Sequence, residues 1–165
     1  MSMDTFSTAD LLDDFPEADV LPIELASFGG KESFCGKAVT VTAPEDNSLV
    51  RETLETDGNN RILIVDGGGS RNCALLGDRL AQLAIDNNWA GVIIYGCIRD
   101  SAVITSMEIG VKALATNPRK SHKRGLGQVG GTIDISGTLI DNNSWLYADS
   151  DGVLVSNRDL LSQNT

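Results

Sequence analysis

Two short apolar runs, Ile62-Leu63-Ile64-Val65 and Val92-Ile93-Ile94-Tyr95, limit what this chain can fold into more than any other feature. They are continuous rather than alternating, rich in β-branched residues and too short for core helices, so they read as strands buried on both faces of a parallel sheet. Between them Leu80, Leu83 and Ala84 recur at three- and four-residue spacing, while Arg79, Gln82 and Asp86 fall on the opposite side of the same helix. The order is strand 61–66, loop Gly67-Gly68-Gly69-Ser70, helix 78–87 and strand 91–96. It predicts a βαβ unit with a right-handed crossover, and hence an α/β fold. Open α/β sheets bind ligands just beyond their strand ends. Two segments fall there, Leu76-Gly77-Asp78 and Gly96-Cys97-Ile98-Arg99-Asp100.

The flanking sequence supports a single domain spanning 1–165. Ser7-Thr8-Ala9-Asp10 has the form of a capping box and opens a short helix that Pro16 stops. Residues 37–42 alternate as a strand does. Asp46-Asn47-Ser48 offers caps for a helix through Leu54. Past Asp100 a short helix at 101–106 and a strand at 110–115 are expected. The runs 132–135, 138–140 and 152–155 suggest a second, antiparallel layer. Residues 117–124 carry Arg119, Lys120, Lys123, Arg124 and the only histidine, His122, and read as the most flexible stretch, a solvated loop or else a lid that steers anions.

With 23 acidic residues against 13 basic ones the formal charge is −10, which repels nucleic acid and anionic membranes and argues against direct binding of either. A partner protein with a basic surface would be attracted. Three cysteines without a CxxC spacing indicate neither a disulfide framework nor a thiolate zinc site. No apolar run approaches a membrane span, and the first residues lack the features of a signal peptide. A cytoplasmic protein is expected.

At the two strand ends the residue types suit a small anion and a hard cation. A helix beginning near Asp78 presents free amides from the Leu75-Leu76-Gly77-Asp78 segment, and Gly77 permits close approach. Arg99 supplies a planar fork for a carboxylate or keto oxygen of a 2-oxo acid. Asp100 offers the oxygen ligand that Mg²⁺ or Mn²⁺ prefers, and Asp78 could hold a metal-bound water. Each residue also has a plain structural reading: Asp78 as a helix-terminus acid, and Arg99-Asp100 as a surface ion pair or cap. The Gly67–Gly69 loop matches no phosphate fingerprint. Cys97 reads as a small buried residue. Lys31, Lys37, Lys112, Lys120 and Lys123 lie in polar contexts away from the two strand ends, which disfavours a Schiff-base route.

Phe28-Gly29-Gly30, Asp46-Asn47, Val65-Asp66-Gly67-Gly68-Gly69-Ser70, Leu76-Gly77-Asp78, Gly96-Cys97-Ile98-Arg99-Asp100 and Tyr147-Ala148-Asp149-Ser150-Asp151-Gly152 together resemble the family of the regulator of ribonuclease E activity A. That family includes metal-dependent 4-hydroxy-4-methyl-2-oxoglutarate aldolases. The resemblance runs from about Phe28 to Val155. It implies a three-layer β/β/α domain of the swivelling type in a homotrimer with clefts between subunits, aldol cleavage to pyruvate, and oxaloacetate decarboxylation. Carried over residue by residue, it makes Asp100 a metal ligand, Arg99 and Asp78 catalytic, and Leu75 to Asp78 with Arg99 the substrate-binding segment. Val103 departs from the pattern, since aldolases of the family often carry an acid there. The family also implies an alternative, a non-catalytic protein that binds ribonuclease E or a helicase.

Overall fold

A computed structural model describes residues 5–162. Along the chain come α1 (Thr8–Asp14), β1 (Asp19–Val20), β2 (Ala26–Ser27), β3 (Phe34–Thr42), α2 (Ser48–Leu54), β4 (Ile62–Asp66), β5 (Ala74–Leu76), α3 (Asp78–Asp86), β6 (Gly91–Ile98), α4 (Ser101–Ile104) and β7 (Gly110–Thr116). Then follow β8 (Gln128–Val129), β9 (Ile133–Ile135), β10 (Thr138–Ile140), β11 (Trp145–Asp149) and β12 (Gly152–Ser156). The Ser7 cap forms as expected: the Ser7 hydroxyl accepts the Asp10 amide at 3.3 Å, and the helix ends before Pro16.

β4 and β6 pair in parallel, Ile62 opposite Gly91 through Asp66 opposite Tyr95, so the βαβ unit is present. β3 and β7 extend it on either side, and the main sheet runs β1-β12-β11-β3-β4-β6-β7-β2. The expected antiparallel layer is only partly separate. β9 and β10 form their own hairpin, but β11 and β12 continue the main sheet, because β3 is shared: its Phe34–Lys37 half pairs with β11 and its Ala38–Thr42 half with β4.

Alternation along these strands divides the core. Val41, Leu63, Val65, Val92, Ile94 and Val111 pack with Val50, Leu54, Leu80, Ala84 and Ile104 of the helices. Ala38, Ile62, Ile64 and Ile93 face the other way, against Ile133, Ile135 and Ile140 of the hairpin and Leu146, Val153 and Val155 of β11 and β12. Helices therefore cover one face of the sheet and β-structure the other, the layering expected of a strand set buried on both sides. α1 packs elsewhere, laying Leu11 beside Tyr147 and Leu154. Its start is tied down by Asp149, whose two carboxylate oxygens accept the Thr8 amide at 2.8 Å and the Thr8 hydroxyl at 2.7 Å.

The Phe34 ring fills the notch left by two glycines, Gly91 and Gly110. A Cβ added at either would lie 2.3 Å or 2.1 Å from that ring. Gly110→Ala should therefore cost about 1–3 kcal/mol by overpacking, and Phe34→Ala about 3–5 kcal/mol. Combining Gly110→Ala with Phe34→Ala should cost less than the sum of the two single changes, because both act on one contact. Urea unfolding midpoints of the three variants read this directly.

Candidate functional site

The site is assembled by β5, a three-residue strand inside the β4–β6 crossover that sequence periodicity does not reveal. It lies parallel to the end of β6, with Ala74 opposite Cys97 and Leu76 opposite Ile98, and the Arg99 amide donates to the Leu76 carbonyl at 2.9 Å. This pairing sets Leu76-Gly77-Asp78 directly beside Arg99-Asp100. The Asp100 carboxylate accepts the Asp78 amide at 3.1 Å across the start of α3. A Cβ on Gly77 would stand 2.8 Å from that carboxylate and 3.5 Å from Arg99, so only glycine allows this approach. Asp100 itself is left-handed (φ 59°, ψ 37°), a conformation that aspartate tolerates better than most residues. It is held there because its carbonyl accepts the amides of Val103 and Ile104 as α4 begins.

Around these groups opens a cleft of about 470 Å³, within the usual range of about 300–1,000 Å³ for small-molecule sites. Leu76, Gly77, Asp78, Arg99 and Asp100 all line it. Leu75 does not: its side chain is buried and turned beneath Gly67 and Gly96. The expected free amide at Asp78 is occupied by Asp100, leaving the later first-turn amides of α3 toward the cleft. Sequence reasoning missed Asn47 and Arg51 as lining residues, and placed Lys120 and Lys123 away from the strand ends, whereas both line the cleft. Arg51, Arg79, Arg99, Lys120 and Lys123 thus surround Asp78 and Asp100 in a chain whose overall charge is strongly negative. Arg51 makes a 3.5 Å ion pair with Glu55, but Arg79, Arg99, Lys120 and Lys123 have no ion-pair partner among the described residues.

The basic stretch is not loose, contrary to its sequence. The Ala74 amide donates to the Arg119 carbonyl at 2.7 Å, and Lys120 bridges Ala74 on the side of β5 away from β6. Ser121, buried, donates to the Asn47 side chain at 2.8 Å and accepts the Asn47 amide at 3.1 Å. Asp46, 1% exposed, collects the amides of Arg124 and Leu126 at 2.6 and 3.1 Å as well as the amide and hydroxyl of Ser48 at 2.9 and 2.6 Å. Burial alone would raise its pKa, but these donors outweigh it and hold the carboxyl far below the ordinary range. Asp46 is therefore a clip between the start of α2 and the basic loop.

Other sequence candidates fall away. Cys97 is fully buried with its thiol pushed up by burial, and the exposed His122 is not among the cleft's lining residues. The amides of Gly67 and Gly69 both donate to the Tyr95 carbonyl and that of Gly68 to Asp66, so the loop is a tight turn. Lys112 corrects its expectation outright: it is 1% exposed, its ammonium donates to Ser27 at 3.0 Å, and burial lowers its pKa. No group of three or more His, Cys, Asp and Glu side chains that could hold a metal occurs among the described residues. The cleft's two carboxylates still fit Mg²⁺ or Mn²⁺, hard ions that take one or two carboxylates and keep several waters.

The sequence profile of the RraA-like family, described as Aldolase/RraA, matches residues 8–155. The chain belongs to the RraA-like family. One relative, from Laribacter hongkongensis and provisionally named a 4-hydroxy-4-methyl-2-oxoglutarate aldolase, is 49% identical over 157 residues, covering 94% of this chain and 99% of its own. Among solved structures, the RNA-processing inhibitor RraA from Thermus thermophilis superposes with a TM-score of 0.92 at 41% identity, covering 97% of this chain and 98% of that one. A Geobacillus kaustophilus protein described as an S-adenosylmethionine:2-dimethylmenaquinone methyltransferase gives a TM-score of 0.94 at 50% identity, covering 97% and 100%. Proteins this similar thus carry three different functional names, so the chemistry of the cleft has to discriminate between them. No helix among the described residues is long and apolar enough to cross a membrane.

Asp46→Asn tests the clip. Because the folded carboxyl has a depressed pKa, its stabilisation is fully present above the unfolded value of about 3.9 and is lost as pH falls through the folded value. Asp46→Asn should cost about 1.5–3 kcal/mol at pH 7, the worth of a hydrogen bond to a charged acceptor. The deficit should shrink below about pH 4. Thermal unfolding of both proteins across pH 3–7 measures it.

Proposed function

We propose that this chain is a divalent-metal-dependent carbon–carbon lyase that cleaves 4-hydroxy-4-methyl-2-oxoglutarate to pyruvate and decarboxylates oxaloacetate, acting as a homotrimer in the cytoplasm. The observation that carries this reading is the convergence of Asp78, Arg99 and Asp100 on one cationic cleft at the start of α3. Aldolase relatives at nearly half identity support it. Both reactions break a C–C bond two carbons from the keto carboxylate carbon and leave the same pyruvate enolate, so one site serves both.

Asp100, with Asp78 beside it, would hold Mg²⁺ or Mn²⁺, which when bound supplies Lewis-acid polarisation of the substrate keto group worth several kcal/mol. The Arg99 guanidinium, without an ion-pair partner among the described residues, receives the 2-oxo acid head and the oxyanion charge that develops as the bond breaks. The wall Leu76-Gly77-Asp78 sets that head against the first turn of α3, where the helix end favours negative charge. Asp78, whose carboxylate accepts no hydrogen bond from any described residue, orients a water that takes the C4 hydroxyl proton of the aldol and returns it to the enolate methylene carbon; in decarboxylation, where CO₂ leaves, the water only donates. Methyl transfer is less well served, because the lining is dominated by charged side chains and the glycine-loop amides are engaged within their turn.

Arg99→Ala should lower kcat/KM for both substrates by about 10²–10³, while leaving the unfolding midpoint in place. Chelation should abolish pyruvate release, and a divalent ion should restore it. Lys120 and Lys123 line the cleft, so borohydride added with substrate is the sharper control. Turnover that survives chelation together with a trapped lysine adduct would reject this mechanism. A second reading, regulation of RNA processing, is favoured by the likeness to the Thermus inhibitor and by an acidic surface that would attract arginine-rich segments. Retention of a ribonuclease E scaffold peptide at physiological salt would support it.

A further inference from the structure

The helical cover of the sheet has a gap over β3. α2 and α3 pack across β4, β6 and the Val39–Val41 part of β3, while α1 covers Cys35, Tyr147 and Leu154. Between the two covers Lys37 is the exposed residue of β3, with Trp145 opposite it on β11. A cavity of about 550 Å³ opens there, at the end of the sheet where Arg61 leads into β4 and Trp89 and Ala90 lead into β6. The α3 cleft lies at the other end of β6, about 25 Å away for a strand of eight residues. The rim of the cavity is fixed. The Asn59-Asn60 turn, left-handed at both residues (φ 50° and 61°), presses on Gly36, where a Cβ would meet the Asn60 carbonyl oxygen at 2.6 Å. The Asn60 amide donates to the Asn88 carbonyl at 2.8 Å, and the Ala90 amide to the Arg61 carbonyl at 2.9 Å. Arg61 is oriented in turn: its Nε donates to the Gly58 carbonyl at 2.8 Å, its Nη2 to the Asp57 carbonyl at 3.1 Å, and its guanidinium carbon stands 5.6 Å from the centre of the Trp89 ring. Its Nη1 donates to no described residue, and Arg61 has no ion-pair partner among them.

Three cationic side chains, Lys31, Lys37 and Arg61, line this cavity against one acid, Glu108, in a chain whose formal charge is −10. Both tryptophans of the chain line it as well. The Trp89 indole N–H is engaged by the Thr56 carbonyl at 3.0 Å, whereas that of the half-buried Trp145 has no partner among the described residues. Indole surface beside a pre-oriented guanidinium and an exposed ammonium selects a ligand that is both flat and negatively charged, since stacking and charge-assisted hydrogen bonding act on different parts of it. We infer that this gap binds a planar aromatic anion, its ring against Trp145 and its carboxylate or phosphate on Arg61 and Lys37. An aliphatic anion would leave the indole without a stacking partner, and an uncharged ring would leave the cations without one. The site is separate from the α3 cleft and stands independently of the lyase reading.

Calorimetry on the full chain, with tryptophan fluorescence excited at the red edge of indole absorption, tests the site, because both tryptophans line it. Benzoate and AMP are the probes. Cyclohexanecarboxylate and inorganic phosphate supply the charge without an aromatic ring, and benzyl alcohol and adenosine the ring without the charge. The wild type should bind benzoate or AMP about tenfold tighter than either of that probe's two controls, with quenching that saturates. Binding of benzoate alone would mark a carboxylate ligand, and of AMP alone a phosphate. Lys37→Glu, a change on an exposed side chain, and Trp145→Leu should each weaken the bound probe about fivefold or more in calorimetry, at unchanged secondary structure. Arg61→Gln should weaken it too but also frees the Gly58 and Asp57 carbonyls, so the exposed Lys37 is the cleaner variant. Arg99→Ala, in the α3 cleft, should leave the affinity as it is. The site is overturned if neither probe outbinds its controls, if Lys37→Glu or Trp145→Leu binds like the wild type, or if Arg99→Ala abolishes binding, which would place the probe in the α3 cleft instead.

Discussion

Parallel pairing of the three-residue β5 with the end of β6 is the contact on which the candidate site depends. α3 could start at many points along its crossover and still cover the sheet. Only because Ala74–Leu76 docks beside Cys97 and Ile98 does its first turn open next to Arg99 and Asp100. The docking is secured from below. Leu75, Leu76 and Ile98 are all buried, and Leu75 reaches under Gly67 and Gly96, where larger residues would leave it no room. Burying such side chains contributes about 1.5–3 kcal/mol each, enough to hold a short strand whose own ladder bonds could not.

On this platform the chain builds a local field opposite to its global one. A formal charge of −10 keeps average anions away, yet one cleft gathers five cationic side chains from α2, α3, the end of β6 and the 117–124 loop. Clefts of one sign between low-dielectric walls concentrate the matching ion. Keeping exposed lysines in such company without ion-pair partners among the described residues requires that their backbone be fixed by something other than charge pairing. The Asp46 carboxylate provides it through amides. A buried anion that would be unstable alone is satisfied by four donors from two segments about eighty residues apart.

The parts of the fold that were legible in the sequence are those written in periodicity. Ile62–Asp66, Gly91–Ile98 and the Leu80, Leu83, Ala84 stripe of α3 announce themselves, and with them the parallel βαβ unit. The strand-end rule then points to Asp78, Arg99 and Asp100 without coordinates. β5 was illegible because three residues carry no period. Lys112 was misread because a lysine surrounded by strand residues is ordinarily exposed, and nothing local signals the Ser27 hydroxyl 85 residues earlier that receives it. The basic loop looked flexible for the same reason. Its restraints, Asp46 and Asn47, lie more than seventy residues away and read locally as helix caps, a role Asn47's side chain does not in fact play. Long-range polar contacts leave no pattern in a single sequence.

The mixture of signs within the cleft has a thermodynamic consequence. On the proposed lyase reading, with three more cationic side chains than carboxylates around it, a divalent cation approaching Asp100 alone would meet repulsion that the two carboxylates only partly offset. On the same reading, a dianionic substrate approaching alone would meet attraction, with Arg99 receiving its head while Asp78 and Asp100 repel it. Each ligand removes the obstacle to the other. Linkage then requires that whatever the substrate does to metal affinity the metal does equally to substrate affinity. On that reading, a site weak for either ligand separately and strong for both together would follow from where Arg99, Lys120 and Lys123 stand relative to the two acids, and Gly77 is what allows those acids and Arg99 to stand so close.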